Sequence, residues 1–248
     1  MRFKKIRKLF ENGNVCVCGL RGKGKDMLLA NVIMRRKLPY LSNMDYGGKY
    51  MPLDLNTLDC GRNTYDNFIN GKIRKYQFPY PDETDIYISD AGIYFPSQYC
   101  NELNKKYPHF ATFQALTRQI GQCNFHVNVQ NLNRVWDKIR EQSDTYILCL
   151  NCTVLFKGRL VFQRIRIYDM YESAANRVRP LRLSAPLTNK EAKATIRTAK
   201  EKYEAEHGKI RTAWLLYTNK SKYDTRYFKQ LLASGTFEIL DESEVKKR

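Results

Sequence analysis

Apolar residues along this chain fall into short runs separated by segments of helical periodicity. Val15 to Cys18 is a strand-length apolar run. Met27-Leu28-Leu29-Ala30-Asn31-Val32-Ile33 opens a helix whose predicted end is the basic cluster Arg35-Arg36-Lys37, just before Pro39. Tyr40 to Met44 reads as a second strand. Residues 45 to 82 are punctuated by Gly47, Gly48, Pro52, Gly61, Gly71, Pro79 and Pro81 and read as loop, with room for one short helix over Thr64 to Ile69. Asp85 to Asp90 is an apolar strand with a polar end, Phe110 to Ile120 a helix, Phe125 to Gln130 a strand, Val135 to Gln142 a helix and Tyr146 to Leu150 a strand. This alternation is that of βαβ units, so the predicted fold class is α/β, a mainly parallel central sheet flanked by helices.

Beyond the sheet, Thr153 to Phe156 and Leu160 to Tyr168 meet at Lys157-Gly158 as a hairpin carrying Arg159, Arg164 and Arg166. A charged helix is expected over Lys190 to Glu206, then a strand and helix between Trp214 and Leu232, and a frayed tail from Asp241. At the other end, Arg2, Lys4, Lys5, Arg7 and Lys8 interleave with Phe3, Ile6 and Leu9. That amphipathic turn is equally suited to a phosphate backbone, a membrane surface or plain solvation.

One motif adds chemistry. Gly19-Leu20-Arg21-Gly22-Lys23-Gly24-Lys25 has the P-loop spacing G-x-x-x-x-G-K, between the first strand and the first helix. Its glycines let backbone N–H groups approach phosphate oxygens, Lys25 supplies charge for the terminal phosphates, and the helix N-terminus faces the anion. Gly19 to Lys25, with Asp26 and Met27, are therefore the expected nucleotide-binding residues. The expected organisation is a basic segment over residues 1–12, a nucleotide-binding core over 13–170, and a C-terminal appendage over 171–248.

Lysine and arginine total 43 against 25 aspartates and glutamates in 248 residues, a formal charge of +18 and a pI of about 9.6. Such an excess points to a polyanion partner, nucleic acid foremost. No apolar run approaches the ~20 residues that span a bilayer, and Met1 to Phe10 does not open a secretory signal, so a soluble protein in the cytoplasm of the host cell is expected. Seven cysteines without secretory context fit a reducing compartment. Cys149-x-x-Cys152 invites a zinc reading, but residues three apart on a regular strand face opposite ways, and only Cys16 and Cys18 form another pair.

In order, the pieces resemble the zonular occludens toxin-like assembly ATPases of phages, relatives of the FtsK/HerA class of P-loop NTPases, over roughly residues 12 to 170. The resemblance rests on the P-loop, Ser42-Asn43, Ser89-Asp90-Ala91-Gly92, Phe95-Pro96-Ser97, Arg118 with Gly121, Gln130, Ile139-Arg140 and Tyr168-Asp169, with Tyr223-Asp224-Thr225 near the end. It implies an ATP- and Mg²⁺-dependent motor acting on DNA without reading sequence, working as a homo-oligomeric ring and meeting a capsid or membrane-assembly protein. Lys25, Asp90, Gln130, Arg118 and Arg140 become the expected catalytic set, with Arg134 a further candidate for an arginine supplied across a subunit interface.

Three positions depart from the family pattern. Asp26 stands where a Ser or Thr would hold Mg²⁺, and Gln98 follows Phe95-Pro96-Ser97 where many relatives carry Arg. Ser89 occupies the usual metal-shell Asp position if Asp90 is the carboxylate that polarises the attacking water. A hard divalent ion accepts oxygen from either group, so Asp26, Ser89 and Asp90 form the expected metal site, one carboxylate and one hydroxyl having traded places. In the other register Asp90 is the metal-shell residue and Ala91 leaves the catalytic position empty. Two other readings stay open: a nonhydrolysing DNA-binding assembly protein, and a small-molecule kinase, which the charge and the lack of a recognisable lid disfavour.

Overall fold

The computed structural model describes residues 3–53, 84–108, 110, 123–182 and 190–220. In chain order they form α1 (Phe3–Asn12), β1 (Val15–Cys18), α2 (Lys25–Arg36), β2 (Tyr40–Ser42), β3 (Tyr50–Pro52), β4 (Asp85–Ile88), α3 (Ala91–Tyr94), α4 (Cys100–Lys106), β5 (Phe125–Val129), α5 (Asp137–Glu141), β6 (Thr145–Leu155), β7 (Leu160–Tyr168), α6 (Tyr171–Ala175), α7 (Lys190–His207) and β8 (Ile210–Thr218). Among the described residues one sheet contains all eight strands, in the order β3-β2-β4-β5-β1-β6-β7-β8. Pairing is parallel from β3 to β6 and antiparallel across β6–β7 and β7–β8.

Each central strand is buried on both faces, which is why β1 and Ile86 to Ile88 of β4 read as apolar runs, while β5 buries His126 and Asn128 among its apolar residues. Alternation then divides the core. Val15 and Val17 pack with Leu28, Leu29 and Val32 of α2, while Cys16 and Cys18 turn to the opposite face with Ile88, Val127 and Trp136. There Phe110 and Phe95 stack on Trp136, at 5.1 and 6.2 Å between ring centroids.

The apolar stripe of α1 is not available to a membrane. Phe3, Ile6 and Phe10 are buried beside α2 and β8, Phe3 lying 4.5 Å from the Tyr217 ring, while Lys4, Lys5 and Lys8 remain exposed. The stretch read as loop contributes β3 beside β2. Only Asp137–Glu141 of the helix expected over Val135 to Gln142 is helical, because the Trp136 N–H donates to the Phe95 carbonyl (2.9 Å) ahead of it. The helices expected over Thr64–Ile69 and beyond Phe110, and the chain after Lys220, lie outside the described residues.

The strand expected at Tyr146–Leu150 and the first arm of the hairpin are one strand, β6, with a register shift between Cys149 and Asn151. That bulge corrects the reading of Cys149 and Cys152 as facing opposite ways, since both pack in the core on the α2 side. From the segment expected as an appendage, β8 pairs with β7 along its whole length, from Leu160↔Thr218 to Tyr168↔Ile210.

Candidate functional site

The loop after β1 leaves the C-terminal edge of the sheet, where the ends of β4 and β5 also open. Its start is fixed by a Gly19 N–H donated to the Val129 carbonyl at the end of β5 (3.2 Å). Gly22 and Gly24 have φ of 76° and 80°, a left-handed conformation that glycine takes at little cost. Gly24 caps α2, and a Cβ there would lie 2.6 Å from that of Cys152, so glycine is required by space as well as by torsion. Lys25 is only 5% exposed, its Nζ 3.5 Å from the Leu20 carbonyl, and the side chain arches back over its own loop. Leu20, Arg21 and Gly22 face solvent. Amides at the start of a 12-residue helix complete a site for a phosphate group.

Behind the loop, the Asp26 carboxylate is the hub of a polar network. Its Oδ1 accepts from Asn128 Nδ2 (2.5 Å), Ser89 Oγ (3.0 Å) and the Tyr46 hydroxyl (3.2 Å). Asn128 also reaches Ser89 Oγ (3.2 Å), and its carbonyl oxygen accepts the Asp90 N–H (2.7 Å). From the other side Asn43 clasps the Ser89 backbone in both directions, accepting from its N–H (2.8 Å) and donating to its carbonyl (3.0 Å). Asp26 and Ser89, both expected at the metal site, are therefore in direct contact.

Asp90 takes φ 47° and ψ 49°, left-handed for a residue with a Cβ. Such strain is held by surrounding structure, here by Asn128 on its N–H and by α3, which begins at the next residue. Partial burial raises the Asp90 carboxyl above its ordinary value, and the Asp26 charge adds to that while Lys25 opposes it. Asp90, Gln130 and Arg134 line one open cleft of about 420 Å³ with Leu20 and Ile93. A second, about 220 Å³, adjoins it across Gln130 and Asn131 and is bordered by Gly19, Asn133 and Arg177. Arg140 lines neither; its guanidinium lies 5.0 Å over the Tyr171 ring. Arg118 lies outside the described residues.

Among the described residues no group of three or more His, Cys, Asp or Glu side chains can hold a metal by itself. Mg²⁺ needs less, because in nucleotide sites it is held by one or two carboxylates, waters and the phosphates. The carboxylate of Asp26 in the first turn of α2 and the hydroxyl of Ser89 at the end of β4 are oxygen donors of that kind, so the residues present fit the ion.

Three contributors escaped the sequence reading. Asn128 is fully buried in β5, and a polar side chain inside a doubly buried strand was the available signal. Tyr46 lies in the stretch read as loop and offers no pattern. Gln163, also fully buried, sits at an inward position of β7, and its Nε2 donates to the carbonyls of Lys23 (3.2 Å) and Gly24 (3.0 Å).

The strand order, with β5 between the loop-bearing β1 and the acid-ended β4, and the loop running into α2 define a P-loop NTPase fold. No family model and no curated protein matches the chain. Among solved structures it is similar to the genome-packaging NTPase B204 of Sulfolobus turreted icosahedral virus 2, at 14% identity over 67% of this chain and 94% of that one (TM-score 0.39). It is also similar to the N-terminal domain of zonular occludens toxin from Neisseria meningitidis, at 10% identity over 66% and 90% (TM-score 0.36). Likeness to the EssC ATPases of Geobacillus thermodenitrificans is more partial, 13% identity over 56% and 32% (TM-score 0.33).

Proposed function

We propose that this chain hydrolyses ATP at the Gly19–Lys25 loop and uses the energy to move viral DNA during packaging or virion assembly. The observation that carries the reading is the 3.0 Å contact between Ser89 Oγ and Asp26 Oδ1. The contact supports the reading because it keeps a carboxylate and a hydroxyl side by side as donors for a divalent ion, their sequence positions exchanged if Asp90 is the catalytic carboxylate. In this reading Lys25 and the loop amides bind the phosphates, and Asp26 and Ser89 hold Mg²⁺, whose role is to neutralise charge on the phosphate oxygens. Asp90 accepts a proton from the attacking water, with Gln130 orienting that water. An arginine from a neighbouring copy in a ring spreads charge in the transition state; Arg134 and Arg140 are candidates, as is Arg118.

The charge of +18 supports a DNA partner, held through phosphates and not through base edges. Phosphate contacts release counterions, so DNA affinity should fall steeply with salt. The test is the rate of ATP hydrolysis alone, with duplex DNA and with single-stranded DNA, using Lys25→Ala as control. The expected result is turnover stimulated by one or both DNAs and abolished in Lys25→Ala. Nucleotide binding without turnover under any of these conditions would favour a nonhydrolysing assembly factor instead.

A further inference from the structure

The hairpin strand β7 reaches the nucleotide loop through one side chain. Gln163 is fully buried, its Nε2 placed between the carbonyls of Lys23 and Gly24 with Cys149 Sγ at 3.4 Å, while its Oε1 accepts from the Tyr217 hydroxyl (3.0 Å) on β8. The amide orientation follows from its partners, since only the nitrogen can donate to two carbonyls and only the oxygen can accept from the tyrosine. These bonds act on peptide planes. In a planar trans peptide the C=O and the following N–H point in opposite directions, so drawing the Lys23 and Gly24 carbonyls towards β7 turns the N–H groups of Gly24 and Lys25 away from it. The Gly24 carbonyl also accepts the Leu28 N–H (3.0 Å) as the first bond of α2, so the Lys25 N–H points out of the helix N-terminus, the side on which phosphate oxygens would lie.

From this geometry we infer that Gln163, held by Tyr217, is a positioning residue that presets the loop amides for the phosphates. The inference rests on the reading of Gly19–Lys25 as a triphosphate site. Its consequence is that the antiparallel end of the sheet is a working part of the nucleotide site, because the torsions of the loop depend on the β7–β8 pair. Gly24 is bound into the same arrangement: a Cβ there would stand 2.9 Å from Gln163 Nε2.

Calorimetric titration of the full chain with ATPγS, and separately with inorganic tripolyphosphate, tests it in wild type, Gln163→Glu and Tyr217→Phe. A glutamate keeps the size of the side chain but sets carboxylate oxygens against the two carbonyls. Gln163→Glu is expected to weaken both ligands by about tenfold or more, as removal of two buried hydrogen bonds implies. Tyr217→Phe is expected to weaken both by about threefold, through a less constrained Gln163. Equal losses for the two ligands place the effect on the phosphate amides, and circular dichroism reports whether each variant is folded. Wild-type affinity in folded Gln163→Glu would overturn the inference and leave the triphosphate site standing. Should Gln163→Glu not fold, unchanged affinity in Tyr217→Phe would overturn it equally. Failure of the wild type to bind either ligand would remove the triphosphate site and the inference together.

Discussion

Around Asp26 the chemistry depends on which side chain brings the carboxylate and which the hydroxyl. Asp26→Ala and Asp90→Ala are each expected to lower kcat at least about 100-fold in a steady-state ATPase assay. Asp26→Ser combined with Ser89→Asp should recover part of the loss of Asp26→Ala; a double variant as inactive as the single one would show that the exchange is not compensating. Asn128→Ala removes the donor to Asp26 and leaves the Asp90 N–H without its acceptor, a change expected to cost about 1–3 kcal/mol in chemical denaturation and to lower turnover as well. Asp90 must be ionised to accept a proton. With its carboxyl raised by burial and by Asp26, activity should fall on acidification at a pH above the ordinary 3.8, read from the acid limb of kcat against pH. Gly19, Gly22, Gly24, Lys25, Asp26, Ser89 and Asp90 were legible because the phosphate-binding turn and the strand end impose local spacing. Asn128 and Gln163 were not, as their partners Asp26 and Gly24 lie 102 and 139 residues away.

Elements followed the apolar pattern wherever burial alone sets it. The buried runs of β1, β4 and β5 and the span of α2 were readable to within a residue or two, since each must satisfy a period of 2 or 3.6 against a common core. Two features depended on tertiary partners instead. The continuity of β6 through Asn151 comes from its antiparallel pairing with β7, which absorbs the extra residue as a bulge. The fate of the apolar stripe of α1 depends on α2 and β8, which cover it. Ile6→Ala is therefore expected to destabilise the protein by about 2–5 kcal/mol in chemical denaturation, as for a core aliphatic residue. A value near zero would mean that α1 is not packed into the core.

On the scale of the whole molecule, the sheet has polar chemistry at both ends. Opposite the nucleotide loop, Asp85 is ion-paired with Arg36, accepts from the Asn124 N–H (3.1 Å) and from the Tyr87 hydroxyl (3.2 Å), and lies beside His126. Burial raises the Asp85 carboxyl, but the surrounding His126, Arg36 and Asn124 groups outweigh it and hold it below the ordinary 3.8. Burial also holds His126 below its ordinary 6.5, against the pull of Asp85. In both cases the unfolded chain takes up a proton before the folded one does. Stability should thus begin to fall as pH drops below about 6.5, and fall further below about 3.8, in denaturant melts across that range. His126→Gln should remove the earlier decline.

The claim beneath all of this is that a triphosphate rests against the loop amides and the ammonium group of Lys25. Titration of the full chain with ATPγS and Mg²⁺, in wild type and Lys25→Ala, tests it most directly. Saturable 1:1 binding in the wild type, weakened at least about 100-fold by removal of the ammonium, is the expected result. Equal affinity in the two proteins would contradict it.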